Sequence, residues 1–447
     1  MSILEMISTA RSEKVRTAVG PAGLPTYTVP DDELAHGSSL GNASTWLTTK
    51  ATGAIEAVYS LSLGRNVFGA CQIGFGGTDL RIVGPQRTHR AGPQRTHTHS
   101  DTQSCVELVP EAPGQFEIHP VMQRHSFSLP GDVWVEETLF LPVVGPESEV
   151  PTVCTGIRLD NHADEPRRLR VYAFAELGEE AEPGVVVDYD PALGALVATR
   201  DGQPDWCWLV AFDRHPTAFE ATRDRDLVYE PYEKRPLANR VGASRGPMAA
   251  LQLDLELPAR GHDSFCWLLC FSHQGPERAR DSLLRVREWE KALQRSVDRC
   301  AELLSVSKIV VPEKVINEGV LWSKANMLRV MGRYPTGAGF TNDPGRSSNV
   351  VVRDVAWFVY GCDYLMPEYS AELLRNVARF QQENGKIVEF WDARTGHTED
   401  YGLNINDDTP LFILAAGHHF LVTHDEAFLR DIYPSVARAA EYLTKTR

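Results

Sequence analysis

Long hydrophobic runs are missing from this sequence. No stretch approaches the roughly 18 apolar residues needed to cross a bilayer. The opening MSILEMISTARSEKVRTAV has no apolar core followed by a small-residue cleavage site. A soluble, cytoplasmic protein without a membrane partner is the expectation. Positive charge is also short: 45 Lys plus Arg against 60 Asp plus Glu leave a net charge of −15. Phosphate backbones are gripped by clustered Lys and Arg, and without such a cluster no nucleic-acid partner is expected. Cysteine is sparse. Its eight copies are scattered, mostly in apolar runs. Cys266 and Cys270 in FCWLLCF share a strand face at a separation too long for a disulfide. Reduced, buried thiols are expected. Neither a zinc spacing nor a Lys-Ser/Thr phosphate cradle is present, so no metal and no cofactor is expected.

What is present divides the 447 residues into segments of different period, as a chain too long for one core should. From about residue 55 to 273 short alternating runs such as FEIHPVM, VWVEETLFL, RLRVYAFAEL and AALQLDLEL are separated by turns such as DNHADEP and RDGQPD. More than ten strands without helices between them imply antiparallel sheets packed as a sandwich, assigned to 1–273. Between strands the hexapeptide GPQRTH occurs at 84–89 and again at 92–97, bringing His89, His97 and His99 close in sequence. No carboxylate or Cys ligand falls at a metal spacing there, and a duplicated surface loop is the reading.

From 275 the period becomes helical. Leu283, Val286, Trp289, Leu293, Val297, Cys300 and Leu304 recur at spacings of three and four. One amphipathic linker helix is expected within 274–308. Residues 309–447 then read as helices alone. The first is bracketed by Pro312 and Gly332, and the second lies around VVRDVAWFVYGCDYL. The third runs from Pro367 to Gly385, the fourth is DTPLFILAAGHHFLV, and the fifth opens with a Thr423/Glu426 capping box. The second and fourth are apolar nearly all round and the third and fifth amphipathic. Inner helices alternating with outer ones suit a double-layered helical barrel.

Several features of this last segment, taken in order, resemble the six-hairpin (α/α)₆ glycosidases. They are Arg353-Asp354 opening an inner helix, ELLRNVARFQQENGKI, Asn406-Asp407-Asp408-Thr409-Pro410-Leu411-Phe412-Ile413, and HDEAFLRDIYPSVARAAEYL. The likeness is greatest to the amylo-α-1,6-glucosidase domain of glycogen-debranching enzymes. The order of domains also resembles bacterial glucoamylases and disaccharide phosphorylases. The resemblance implies a β-sandwich, a helical linker and an incomplete (α/α)₆ barrel. The family barrel has twelve helices and five are legible, so either the chain is a fragment or a partner chain supplies the rest. The implied activity is an exo-acting, inverting hydrolysis of α-glucosides in an oligo- or polysaccharide. The catalytic base would then lie in a missing C-terminal part. A phosphorylase and a non-catalytic sugar-binding scaffold are the alternatives.

Glycosidic bonds are broken by a carboxylic acid that protonates the leaving oxygen and a base that activates water. The acid stays protonated near neutral pH only if buried among apolar groups or beside another carboxylate. Asp407 and Asp408 enter a buried helix, and the resemblance aligns Asp408 with the family's general acid; capping the helix is the plainer role for either. Arg353 and Asp354 open an otherwise apolar helix, which calls for an ion pair or for sugar hydroxyls as partners. Trp357 and Trp391 could stack on sugar faces or pack in the core. Glu389 and Asp392 flank Trp391 in EFWDARTGHTEDYG as weaker binding candidates, with Tyr401 near the loop's end. Arg346 sits in the Gly/Pro-rich stretch 332–349, a rim loop or a plain connector.

Overall fold

The computed structural model describes residues 16–19, 21–77, 106–178, 184–222, 236–244, 248–400 and 407–445. The duplicated GPQRTH segment with its histidines, and Tyr401 and Asn406, lie outside the described residues.

The N-terminal part is two antiparallel sheets, of eleven and eight strands. The larger places Met122–Leu129, Val133–Phe140, Thr152–Asn161, His262–Ser272 and Gln203–Phe212 side by side at its centre. The smaller is built around Arg65–Gly77 and Arg167–Leu177. Val135, Ile157, Trp208 and Phe265 of the first meet Val58, Phe68, Val171 and Leu251 of the second in one core. Each such side chain contributes about 1.5–3 kcal/mol on burial. FEIHPVM is not one strand: it turns at His119–Val121, and Gln115–Ile118 pairs back on Met122–Leu129. The thirteen-residue strand Arg65–Gly77 escapes the sequence reading because its glycines break the apolar alternation.

The larger sheet is covered on both faces. Cys154, Leu209, Cys266, Leu268 and Cys270 point away from the sandwich core and pack on Ala279, Leu283 and Val286. This is why FCWLLCF is continuously apolar rather than alternating. All seven described cysteines are buried and unbridged. The covering segment is two helices, where one was expected: α1 (Pro276–Val286) and α2 (Trp289–Ser305). The break falls at Glu288, whose φ −84° and ψ 60° are not helical. It drops the Trp289 ring onto the face of Gly156, so close that a Cβ there would lie 2.5 Å from the ring.

Five helices follow: α3 (Lys314–Val330), α4 (Val352–Cys362), α5 (Pro367–Arg379), α6 (Asp408–Thr423) and α7 (Glu426–Lys445). They are not alone. The Gly332–Tyr334/Gly337–Gly339 hairpin and a three-stranded sheet of Asn349–Val351, Phe390–Asp392 and Thr398–Glu399 sit in their connections. α5 stops six residues short of Gly385, which with φ +92° closes a separate turn onto Gln382. The Thr423/Glu426 capping box does not form. Instead the Asp425 carboxylate accepts the Ala427 and Phe428 amides at 2.9 Å, while Thr423 Oγ1 donates to the His419 carbonyl. Tyr59 and Leu61 of the sandwich enter the same apolar core as Val355, Leu374, Trp391 and Phe412. Among the described residues no helix is long and apolar enough to cross a membrane.

The Trp289–Gly156 contact has a direct consequence. Gly156→Ala forces a methyl against a ring held in the packed cluster and is expected to cost about 1–3 kcal/mol. Urea unfolding would read this as a lower midpoint at unchanged slope. An unaltered midpoint would mean that Trp289 is free to move off the strand.

Candidate functional site

Helices α4 and α6 pack against each other and run in the same direction. At their N-terminal ends Arg353 donates from Nε and Nη2 to Asp407 Oδ1, at 3.1 and 2.7 Å. At their C-terminal ends the buried Asp363 carboxylate holds His418 Nδ1 at 2.8 Å and His419 Nδ1 at 2.7 Å. Parallel neighbours of this kind bring two helix N-termini, and the loops entering them, to one end of the bundle.

Asp408 lies at that end. It is only 3% exposed, and its Oδ2 has no hydrogen-bond partner among the described residues. Burial, and secondarily the negative charge of Asp407, raise its pKa to about 7; Glu389 adds to the rise, while the Arg353 charge and backbone amide oppose it. A carboxyl here keeps its proton at pH values where ordinary carboxylates have lost theirs. Asp407 does not cap the helix with its side chain. It stands half-exposed and paired with Arg353. Arg353 therefore pairs with Asp407 rather than with Asp354, whose Oδ2 accepts from Asn342 Nδ2 at 3.1 Å.

The loop 386–400 closes one side. The Glu389 backbone carbonyl accepts the Val352 amide at 2.9 Å, and its own amide donates to Asp400, which pairs with Lys386 at 2.7 Å. Glu389 is buried at 3% exposure. Thr409 Oγ1 accepts the Ile387 amide, stitching this loop to the first turn of α6. Asp392 is held by Ser348 Oγ and by the Arg394 and Thr395 amides, hydrogen bonds that outweigh burial and take its carboxyl down to about 2.

The two tryptophans part company. Trp391 is fully buried, its ring stacked on Phe380 at 5.4 Å, and so presents no face to a ligand. Trp357 is 61% exposed one turn along α4 from Arg353. Arg346 lies in a turn at 344–346, largely in solvent beside Asp343. The sandwich braces this turn where Gly345 packs on Trp46, and loop 386–400 where Arg394 reaches the Gly64 carbonyl. Arg353, Asp407, Asp408 and Glu389 thus converge, with Trp357 alongside; Trp391 and Arg346 do not join them. The Asp363–His418–His419 cluster and the Lys386–Asp400 pair were not anticipated from sequence. Two adjacent histidines inside an apolar helix were the available signal for the first.

No family model and no curated protein matches this chain. Solved structures do. A protein assigned as a kojibiose phosphorylase, from the human microbiome, superposes with TM-score 0.60 at 10% identity, over 96% of this chain and 60% of that one. A bacterial glucoamylase complexed with acarbose gives TM-score 0.58 at 13% identity, over 97% of this chain and 61% of that one. The chain shares their fold, antiparallel sheets followed by a helical part, and spans about 60% of their length.

A protonated Asp408 makes a pH-dependent demand on stability. Its folded pKa of about 7 lies above the ordinary carboxyl value near 3.8. Stability from the neutral carboxyl is therefore complete below about pH 4 and is lost as pH rises toward 7, because the unfolded chain binds fewer protons there. Asp408→Asn cannot ionise. It should match wild type in melting temperature near pH 4 and exceed it at pH 8, by a difference worth a few kcal/mol. Equal melting temperatures at pH 8 would show that Asp408 ionises in the fold without penalty.

Proposed function

We propose that this end of the helical bundle belongs to a carbohydrate-active enzyme that cleaves α-glucosidic bonds, with Asp408 as general acid. The observation that carries the reading is a carboxyl buried at the entrance of an inner helix, with a pKa near 7 and an unpartnered oxygen. Such a group can hand its proton to a departing glycosidic oxygen at neutral pH. Arg353 and Asp407 offer a charged rim for sugar hydroxyls, with Asp354 next to Arg353 in the chain, and Trp357 offers an exposed aromatic face one turn along α4 from Arg353. The order of sandwich, linker helices and barrel helices is proposed as three units, 1–273, 274–308 and 309–447.

The mechanism follows from these groups. The sugar ring stacks over Trp357 while hydroxyls bridge to the Arg353–Asp407 pair, fixing the glycosidic oxygen near Asp408. Proton transfer from the Asp408 carboxyl neutralises the leaving oxygen as the anomeric carbon gains positive character. The carboxylate so formed sits beside Asp407 and Glu389, whose negative charge favours its taking a proton back from solvent for the next cycle. Inversion requires a second carboxylate on the opposite face of the sugar to activate water. The fold neighbours bear names of both a phosphorylase and a glucoamylase, which favours phosphorolysis as the second reading, with phosphate as the attacking group in place of water.

Asp408→Asn is expected to lose a factor of roughly 10²–10⁴ in kcat on an unactivated disaccharide. A glycosyl fluoride needs little protonation of its leaving group and should be cleaved at close to the wild-type rate. Equal losses on both substrates would make Asp408 a binding residue. Running the disaccharide assay with and without inorganic phosphate separates the two readings by product: free sugar or sugar phosphate.

A further inference from the structure

The clamped helices carry an aromatic surface that leads away from Asp408. Trp357 and Tyr360 lie on α4, and Tyr364 lies in the turn that ends it. His418 of α6 enters the same row. Ring centroids are 5.8 Å apart for Trp357 and Tyr360, 4.2 Å for Tyr360 and His418, and 5.9 Å for His418 and Tyr364. The row begins one turn from Arg353 and ends beside Asp363, at the far end of the clamp. At the rise of a helix, Trp357 and Tyr364 stand roughly 10 Å apart along the axis.

Both ends of the row are open to solvent, Trp357 at 61% and Tyr364 at 48% exposure. Leu414 and Leu421, one turn of α6 to either side of His418, are exposed as well. A continuous exposed surface of this kind marks a binding face, where a lone exposed apolar residue would not. The surface is also neutral. No Asp, Glu, Lys or Arg occurs between Asp354 and Asp363, or between Asp408 and Asp425. His418 is fixed in place, with Nδ1 2.8 Å from the buried Asp363 carboxylate and its ring tilted against Tyr360. Its side chain still reaches solvent, at 19% exposure. Gly417 beside it keeps the surface low: a Cβ there would meet nothing within 4 Å.

Neutrality and flat rings select the ligand. A charged ligand finds no counter-charge on this surface. A pyranose has an apolar C–H face for an aromatic ring, and hydroxyls for the polar groups of tyrosine and histidine. A purely aliphatic partner would use the rings and leave those polar groups without bonds. Continuity sets the position: Trp357 is the platform of the Asp408 site, and the row extends it beyond the length of one sugar ring. We propose that Tyr360, His418 and Tyr364 form further subsites for a neutral α-linked oligosaccharide whose end unit lies at Asp408. The preferred substrate is then longer than a disaccharide. This rests on the reading of the Asp408 end as a glucoside-cleaving site.

The test is calorimetric titration of the full chain with maltose and maltohexaose, in the Asp408→Asn background so that neither sugar is consumed. Maltohexaose is expected to bind roughly tenfold more tightly than maltose, a gain of the size that aromatic stacking supplies. Tyr364→Ala should bring that ratio close to one, whereas Tyr364→Phe, which keeps the ring, should retain most of it. Tyr364→Leu keeps apolar bulk without a flat ring, and decides the matter if circular dichroism shows that Tyr364→Ala does not fold. A ratio near one before any change at Tyr364, a gain untouched by Tyr364→Ala, or no binding of either sugar would each overturn the proposal. So would self-association in sedimentation velocity that is lost in Tyr364→Ala, which assigns the face to a second copy of the chain. Cleavage by the wild-type chain separates the two readings. A length-dependent gain without cleavage of either sugar keeps the subsites and sinks the Asp408 assignment, and cleavage of maltose without the gain does the reverse.

Discussion

The parallel clamp between α4 and α6 is the constraint from which the candidate site follows. It is fixed at both ends, by the Arg353–Asp407 ion pair at one and by the contacts of the Asp363 carboxylate with His418 and His419 at the other. Between them Val355, Val359, Phe412 and Ala415 pack into the core. Two-ended fixation leaves little freedom to slide, because an axial shift of one turn would break the contacts at both ends and strand the buried Asp363. With the register set, Asp408 has nowhere to go but into the core beneath Asp407. Its proton affinity is a result of that placement. The helix N-terminus favours an ionised side chain at this position; burial and the neighbouring carboxylates win.

The sandwich contributes to the same end. Tyr59 and Leu61 complete the apolar core beneath the rim, and Arg394 ties loop 386–400 to Gly64. On the far side the linker helices cover the larger sheet, and α2 in turn meets α3 through Val297, Cys300, Leu304, Trp322 and Ala325. Arg329 is buried in this junction, donating to the His119 carbonyl at 2.9 Å, with burial lowering its guanidinium to about 10. Sheets, linker and helices are therefore joined by continuous packing.

Much of this was legible in the sequence because period and punctuation carry it. Alternation named most strands, and the shift to a spacing of three and four near residue 275 located the linker. Asp408 was legible as a carboxyl entering an apolar helix, where burial is bound to perturb it. What stayed hidden depends on distant partners. Glu288 has an unremarkable helical neighbourhood in sequence, yet the fold breaks there so that Trp289 can meet a glycine 133 positions earlier. Trp391 and Trp357 look alike as aromatic loop or helix residues, and only packing against Phe380 distinguishes the buried one from the exposed one. Arg353 next to Asp354 suggested a local pair, whereas the partner chosen is Asp407, brought close by the clamp.

The central claim is that the fold raises the Asp408 carboxyl far enough to keep a proton within reach of neutral pH, at a pKa near 7. Carbon-13 NMR of the side-chain carboxyls, with Asp408 assigned by its disappearance in Asp408→Asn, measures this directly as a function of pH. A titration midpoint near 7 for the Asp408 resonance is the result the account predicts. A midpoint at or below about 4, the range of an ordinary solvated carboxyl, would contradict it.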